Sequence, residues 1–345
     1  MGEYIEETGN PFIGKKKEEL KTFLERMGLT YDEQITHSIV LREGKEIIAT
    51  ASCQKNIIKC VAVSEAYRGQ NLLAHLMTSL IEYFYEIGIS HFFGFTKPQN
   101  KELFCRMGMY PVVQTEKILL LENDKNGLEK FLERLKKETQ EQQKRGEENR
   151  NGNGIGAVVM NCNPFTRGHE YLIRKAAQEN KWLHLFILSE EQGFLTTKER
   201  YQLVKDGIQA IPNVILHQTS EYMISPAVFP TYFIKEKAKA YEMNCQLDIQ
   251  LFGERIAPEL KITDRYVGSE PVCDVTRTYN QCLQEQLLRY QIHFHEIPRK
   301  TYGNQVISAS EVRKKYAENQ LKNVYGMLPE STWRYLERKK DESCK

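Results

Sequence analysis

The sequence predicts a two-domain α/β protein whose second domain is built on a parallel sheet. From Ile155 onward, strand-like and helix-like segments take turns, the pattern of a doubly wound sheet that binds ligands at the carboxyl ends of its strands. The first 122 residues run differently, as helix, antiparallel strands, helix and strand. Between the two lies Asp124–Arg150, with eight basic and seven acidic residues and almost nothing apolar after Leu135. Such composition cannot build a core and marks a solvated joint. At roughly 100–200 residues per domain, a chain of 345 residues also points to two. The predicted division is 1–122, a charged helix and linker over 123–153, and 154–345.

Each element has its own signal. Leu20, Phe23, Leu24 and Met27 share one face of a helix over Lys15–Met27, which Gly28 closes. Strand-like runs come next at Ile35–Leu41, Glu46–Cys53 and Asn56–Val63, the first two joined at Glu43-Gly44. A long helical pattern covers Asn71–Ile87 and stops at Gly88, before a short strand His91–Thr96. Leu128, Phe131, Leu132 and Leu135 keep helical spacing at the start of the joint, whereas Gln140–Gly154 is polar and then Asn/Gly-rich, a linker. In the second half strands are expected at Ile155–Met160, Leu183–Leu188, Val214–His217, Leu247–Phe252 and His293–Ile297. Helices are expected at Gly168–Asn180, Thr197–Ala210, near Val275–Tyr290 and from Ser310.

Composition removes several classes of function. The formal charge is +2, from 48 basic and 46 acidic residues, so no field concentrates a nucleic-acid backbone. No apolar run approaches the roughly 18 residues of a membrane span. The start, MGEYIEETGN, lacks a basic-then-apolar signal. Eight scattered cysteines without a C-x-x-C pair indicate neither a disulfide framework nor a zinc site. The expected address is the cytosol, with neither nucleic acid nor membrane as partner.

The most informative stretch is GAVVMNCNPFTRGHEYLI, Gly156–Ile173. A buried strand ends in Asn161–Pro164, and Thr166-Arg167-Gly168-His169 stands at the mouth of a helix. Free N–H groups and the positive dipole end make a helix start a phosphate site. Gly168 permits close approach and His169 can donate to phosphate oxygens; a helix cap with an incidental histidine would also account for these four residues. A second segment, Ile307-Ser308-Ala309-Ser310-Glu311-Val312-Arg313, places two hydroxyls at another helix start with Arg313 one turn inside. Ser310 as an N-cap is its ordinary structural explanation. Together they read as two jaws around a triphosphate.

This pairing resembles the nucleotidyltransferase superfamily, whose signatures are H/T-x-G-H and a later I-S-S-T-x-x-R-like segment. The resemblance implies a Rossmann-like fold and attack on the α-phosphate of a nucleoside triphosphate. The version here, with Asn161, Asn163, Pro164, Phe165, Thr166, Gly168 and His169 and then Tyr171 and Leu172, is similar to that of the citrate lyase ligase family. So are Ser225–Phe233 and Arg265–Pro271, which taken alone read as loops leading into helix starts.

In the first half, Lys59–Val63, then Tyr67-Arg68-Gly69-Gln70-Asn71-Leu72-Leu73 and a long helix, resembles the GNAT acetyltransferase fold. Its coenzyme-binding loop is Q/R-x-x-G-x-G/A. Arg68 is in place, but Asn71 and Leu73 occupy the two glycine positions. Asn tolerates a left-handed backbone, whereas Leu73 adds bulk. Asn100 and Phe104–Tyr110 match the ending of that fold, and GNAT-like first, nucleotidyltransferase second is also the domain order of citrate lyase ligases.

The resemblance implies an ATP-dependent ligase that acetylates the thiol of the citrate lyase prosthetic group through acetyl-adenylate, releasing AMP and pyrophosphate. It implies ATP with Mg²⁺ carried on its phosphates, acetate as the acid, and the acyl carrier subunit bearing phosphoribosyl-dephospho-coenzyme A as partner. Carried over residue by residue, His169 and Thr166 are expected to be catalytic. Asn163, Phe165, Gly168, Ser308, Ser310 and Arg313 are expected to join them in binding ATP, with Arg167 and Lys198 as weaker candidates. Val63, Arg68, Gly69 and Asn100 would hold the coenzyme-like arm. Two other readings remain open: transfer of AMP to a phosphorylated small molecule, and a non-catalytic acyl-CoA and nucleotide sensor. His293-x-His295 reads as a half-exposed strand face rather than a metal pair. Tyr83, Phe84 and Tyr85 read as core, and His75 and His91 as packing residues.

Overall fold

The computed structural model describes residues 4–189, 193–223, 237–271 and 273–343. The chain divides into two compact units, Met1–Glu129 with Val228–Leu247 and Lys130–Ala227 with Asp248–Lys345.

The first unit holds a seven-stranded sheet. Along the chain it comprises β1 (Ile5–Gly9), α1 (Gly14–Arg26), β2 (His37–Glu43), β3 (Glu46–Gln54), β4 (Ile57–Val63), α2 (Leu72–Glu86), β5 (Phe93–Thr96), α3 (Lys101–Cys105), β6 (Tyr110–Gln114) and β7 (Leu119–Glu122). The strands lie in the order β1-β2-β3-β4-β5-β7-β6. All neighbours are antiparallel except β4 and β5. Those two pair only at Ile57↔Phe93 and Ile58↔Gly94, so they part toward their carboxyl ends. A register slip between Thr50 and Ser52 of β3 faces Cys60, which has φ +52°; a bulge of this kind bends a strand and re-aims its later side chains. Leu72, Leu76, Met77, Leu80 and Phe84 of α2 seal the sheet's core. Of the three expected core aromatics only Phe84 is buried. Tyr83 stacks on His37, and Tyr85 is exposed. Helical spacing of 100° per residue cannot put three consecutive side chains on one face.

The second unit is a parallel sheet. It contains α4 (Gly127–Gln143) from Lys130 onward, β8 (Ile155–Met160), α5 (Arg167–Glu179), β9 (Trp182–Ile187), α6 (Thr197–Gly207), β10 (Val214–Gln218), the end of α7 (Lys237–Leu251), α8 (Ala257–Leu260), β11 (Asp264–Gly268), α9 (Asp274–Gln286), β12 (His293–Ile297), α10 (Ala309–Ala317) and α11 (Glu330–Ser343). The order is β10-β9-β8-β11-β12, every pair parallel. The chain winds outward from β8 first to one side and then to the other, so the switch point lies between β8 and β11, where such sheets take their ligands. Leu247–Phe252 is not a strand: it ends α7 and enters a π-helical turn, and β11 takes the sheet position. A six-residue apolar run fits either a buried strand or a buried helix.

The two faces of this sheet differ. Leu183, Leu185 and Ile187 of β9 join α5, α6, α10 and α11 in an apolar core. The intervening His184 and Phe186 face the other way, where His184 Nδ1 meets His217 Nε2 at 2.9 Å and His217 Nδ1 meets Glu138 of α4 at 2.7 Å. Burial holds both imidazoles below their ordinary pKa. The charged run is therefore docked. Gln142 donates to the Leu216 carbonyl (2.9 Å) and accepts from its N–H (2.8 Å), closing the open edge of β10 as another strand would. The expected linker is likewise tied down, with Asn149 Nδ2 donating to the carbonyls of Ala177, Gln178 and Asn180.

Candidate active site

The loop after β8 is set by its own backbone and by two arginines. Cys162 adopts φ +53°, and Pro164 is joined to Asn163 through a cis bond. Arg200, fully buried on α6, donates Nη1 to the carbonyl and to Oδ1 of Asn161 (both 2.7 Å) and to the Leu188 carbonyl (2.8 Å). From the other side, Arg313 of α10 donates Nη1 to the Asn163 carbonyl at 2.5 Å and Nη2 to Ser310 Oγ at 3.0 Å. The second motif is thus bonded directly to the first.

Thr166 caps α5, and His169 completes a reciprocal box. The His169 N–H donates to Thr166 Oγ1 (3.3 Å), and the Thr166 N–H donates to His169 Nδ1 (3.1 Å). An atom accepting an N–H carries a lone pair, so the neutral imidazole holds its proton on Nε2. Burial, and next the charge of Arg299, lower the His169 pKa to about 4. At neutral pH the cap thus presents an uncharged N–H donor. The capping explanation and the phosphate-donor explanation are not rivals, because the cap fixes the tautomer that donation requires.

At α10, Ser308 is the N-cap and accepts from the Ser310 N–H (3.2 Å). Ile307 is held against the first motif: a Cβ added to Gly168 would lie 3.4 Å from Ile307 Cγ2. Thr166, Gly168, His169, Asn163, Ser308, Ser310 and Arg313 are therefore brought to one place. Phe165 is not available as a side chain, since its ring is fully buried against Gly207 and can offer a ligand only backbone. Arg167 is committed to the Leu328 carbonyl (2.9 Å), and Lys198 is exposed on α6. At the ends of β11 and β12 stand Ser269, Glu270 and Arg299, bonded to one another. Ser225–Phe233 lies outside the described residues. Glu270 lies in the Arg265–Pro271 stretch, but Arg200 and Arg299 carry no local motif; the capping box Thr196–Glu199 marks where α6 starts, and nothing in sequence aims Arg200 at Asn161. His293 and His295 both approach Asp264, at 3.6 and 2.7 Å, and His295 stacks on Tyr266.

The first unit has a cavity of about 860 Å³ where β4 and β5 part, lined among others by Val63, Arg68, Gly69 and Asn100. Gly69 has φ +85°, and Asn71, the residue before α2, has φ +63° with no side-chain cap on the helix. The N–H groups that open α2 are thereby left to a ligand. Arg68, Lys97 and Arg106 line the cavity, and no Asp, Glu or His does so among the described residues. Leu73 also lines it, filling space at the second glycine position.

A parallel sheet with two facing helix starts at its switch point defines a nucleotidyltransferase-type domain, here joined to an acetyltransferase-type fold. Comparison with known proteins agrees with both parts. The profile of the citrate lyase ligase C-terminal domain matches residues 155–336, and that of the acetyltransferase (GNAT) family matches residues 5–109. The chain is 37% identical over 329 residues to the citrate (pro-3S)-lyase ligase of Escherichia coli, covering 94% of this chain and 91% of that protein. It is 35% identical over 326 residues to the protein of that name from Klebsiella pneumoniae, covering 93% and 92%. Phosphopantetheine adenylyltransferase of Streptococcus equi is 24% identical over 112 residues, 31% of this chain and 68% of that protein. The chain belongs to the citrate lyase ligase family. No helix among the described residues is long and apolar enough to cross a membrane.

Proposed function

We propose that this enzyme activates citrate lyase as an acid–thiol ligase, using ATP and acetate to acetylate the thiol of the acyl carrier's phosphoribosyl-dephospho-coenzyme A group. The observation that carries the reading is the locked pair of helix starts, α5 with its neutral His169 and α10 with Ser308, Ser310 and Arg313, joined through the Asn163 carbonyl. A triphosphate fits this donor set: one N–H donor, two hydroxyls, a guanidinium and two positive helix ends, with no carboxylate among them.

In the proposed reaction an acetate oxygen attacks the α-phosphorus in line, and pyrophosphate leaves with Mg²⁺ on its oxygens. The thiolate then attacks the acetyl carbonyl of the mixed anhydride, the carbonyl–oxygen bond breaks, and AMP departs. The protein supplies position and charge stabilisation rather than a covalent intermediate. Thr166 fixes the imidazole, and His169 Nε2–H donates to an α- or β-phosphate oxygen. Ser308, Ser310 and Arg313 hold the departing pyrophosphate. The cavity of the first unit receives the coenzyme-like arm, its diphosphate at Arg68, Gly69 and the open start of α2 and its chain along Val63 and Asn100. In this reading the unit holds the arm, with Arg68, Lys97 and Arg106 in the lining to meet its diphosphate. Incubation with ATP, Mg²⁺, acetate and thiol-form citrate lyase is expected to release AMP in step with gain of lyase activity. A stable dinucleotide-like product in place of AMP would refute the reading, and so would absence of ATP turnover.

A further inference from the structure

One firmly held cation belongs to neither motif. Arg299 lies just past β12, and three hydrogen bonds fix it: its backbone N–H donates to Ser269 Oγ (3.2 Å), Nε donates to the Ser269 carbonyl (2.7 Å), and Nη2 donates to Glu270. The Glu270 side chain is only 7% exposed: one oxygen takes this guanidinium, and the other accepts the Cys273 N–H (3.1 Å) at the start of α9. Nη1 has no partner among the described residues. The chain beyond Arg299 folds against the first motif. The Lys300 carbonyl accepts from the Ile307 N–H (3.0 Å), Ile307 abuts Gly168, and Lys300 Nζ lies 5.7 Å over the ring of Tyr171 on α5. The charge of Arg299 is close enough to be felt by His169. Arg299, Lys300 and Arg313 thus border the first motif beside a neutral donor, and the acid bonded to Arg299, Glu270, is already paired. Such a grouping of cations suits an anion.

We infer that Arg299 binds the phosphate chain of the nucleotide beside His169, and that Glu270 is its positioning residue, holding the guanidinium with the Nη1 edge turned to a phosphate oxygen. This rests on the reading of the site as a nucleoside triphosphate site and adds to it a phosphate ligand from the end of β12. A purely structural Arg299 would only staple β12 to β11. A guanidinium held in one orientation keeps its remaining donors aimed, which a mobile lysine does not.

The test uses the full chain with α,β-methylene-ATP as the probe and AMP in parallel. Arg299→Ala is expected to weaken the triphosphate probe roughly 10- to 100-fold, the range of one or two charge-assisted hydrogen bonds, and AMP much less. Arg299→Lys is expected to recover part of the loss. Glu270→Gln is expected to weaken the probe several-fold with the melting transition nearly unchanged. The His169 titration, tracked by NMR without ligand, is expected to move up from about 4 in Arg299→Ala. Probe affinity within twofold of the parent in a folded Arg299→Ala protein would overturn the inference, as would an unmoved His169 titration. If His169→Ala abolishes acetate-dependent pyrophosphate release while Arg299→Ala preserves it, the inference falls and the proposed reaction stands. If the probe binds through Arg299 but acetate never elicits pyrophosphate release, the proposed reaction falls and the phosphate site stands.

Discussion

Each unit places a strand, a tight turn and a helix start where a phosphate group could bind, yet the two starts are finished in opposite ways. In the second unit α5 is closed by the protein's own side chains: Thr166 and His169 cap each other, and Arg200 and Arg313 clamp the preceding loop. In the first unit α2 opens from a left-handed Asn71 with no side-chain cap, beside a cavity lined by Arg68, Lys97 and Arg106 and, among the described residues, by no Asp, Glu or His. A closed start gives a rigid and neutral donor array, suited to stabilising charge that shifts during a reaction. An open start with cations at its rim is suited to gripping a phosphate that does not react. The contrast is the physical basis for assigning chemistry to one unit and holding to the other.

The sharpest way to break this contrast is His169→Ala. Loss of one preorganised donor is expected to lower acetate-dependent pyrophosphate release about 100- to 1,000-fold, while coenzyme A binding to the first unit stays as it was; stopped assays and calorimetry would read the two effects separately. Next in size is Arg200→Met, which strips three carbonyl-type acceptors of a buried charged donor. A loss of about 3 kcal/mol in urea unfolding is expected.

Acid should act on the second unit through its histidines. His169, His184 and His217 all have folded pKa values below 6.5 because burial disfavours the charged ring. The unfolded chain therefore binds more protons below that value, so stability is full above about pH 6.5 and is lost as pH falls toward 4. Urea midpoints between pH 7 and 4.5 would show the slope, and His184→Phe paired with His217→Phe should flatten it.

In the first unit, Asn71→Val forces a β-branched residue to φ +63° and is expected to cost about 1–2 kcal/mol, whereas Asn71→Gly is expected to be nearly neutral. The smallest expected effect is that of Arg68→Ala. Its guanidinium is 67% exposed, so coenzyme A affinity should drop only about fivefold or less. Pyrophosphate release should be unchanged.

The helix starts are legible in sequence because their chemistry is local. Thr166 and His169 are three residues apart, as are Ser310 and Arg313, so one turn of helix brings each pair together. The left-handed Asn71 is legible for the same reason. Hidden from sequence is what the fold assembles across distance. Arg200 reaches back 39 residues to Asn161, Gln142 reaches forward 74 to the edge of β10, and Arg299 reaches Ser269, 30 residues earlier. Phe165 stands inside the first motif while its ring serves the core beneath it, leaving its backbone to a ligand, and the strand expected at Leu247–Phe252 is a buried helix end of the same apolar composition. The net composition of the charged stretch after Asp124 says linker, while its few decisive residues, Glu138, Gln142 and Asn149, are polar groups that bond to the sheet and to the end of α5.

In the proposed reaction the second unit makes an activated acyl group by itself, before any thiol takes part. Exchange of labelled pyrophosphate into ATP, measured on the full chain with Mg²⁺ and acetate but no thiol acceptor, tests it most directly. Acetate-dependent exchange is expected to survive Arg68→Ala and to vanish in His169→Ala. Exchange that appears only when the thiol acceptor is added, or that ignores acetate, would contradict it.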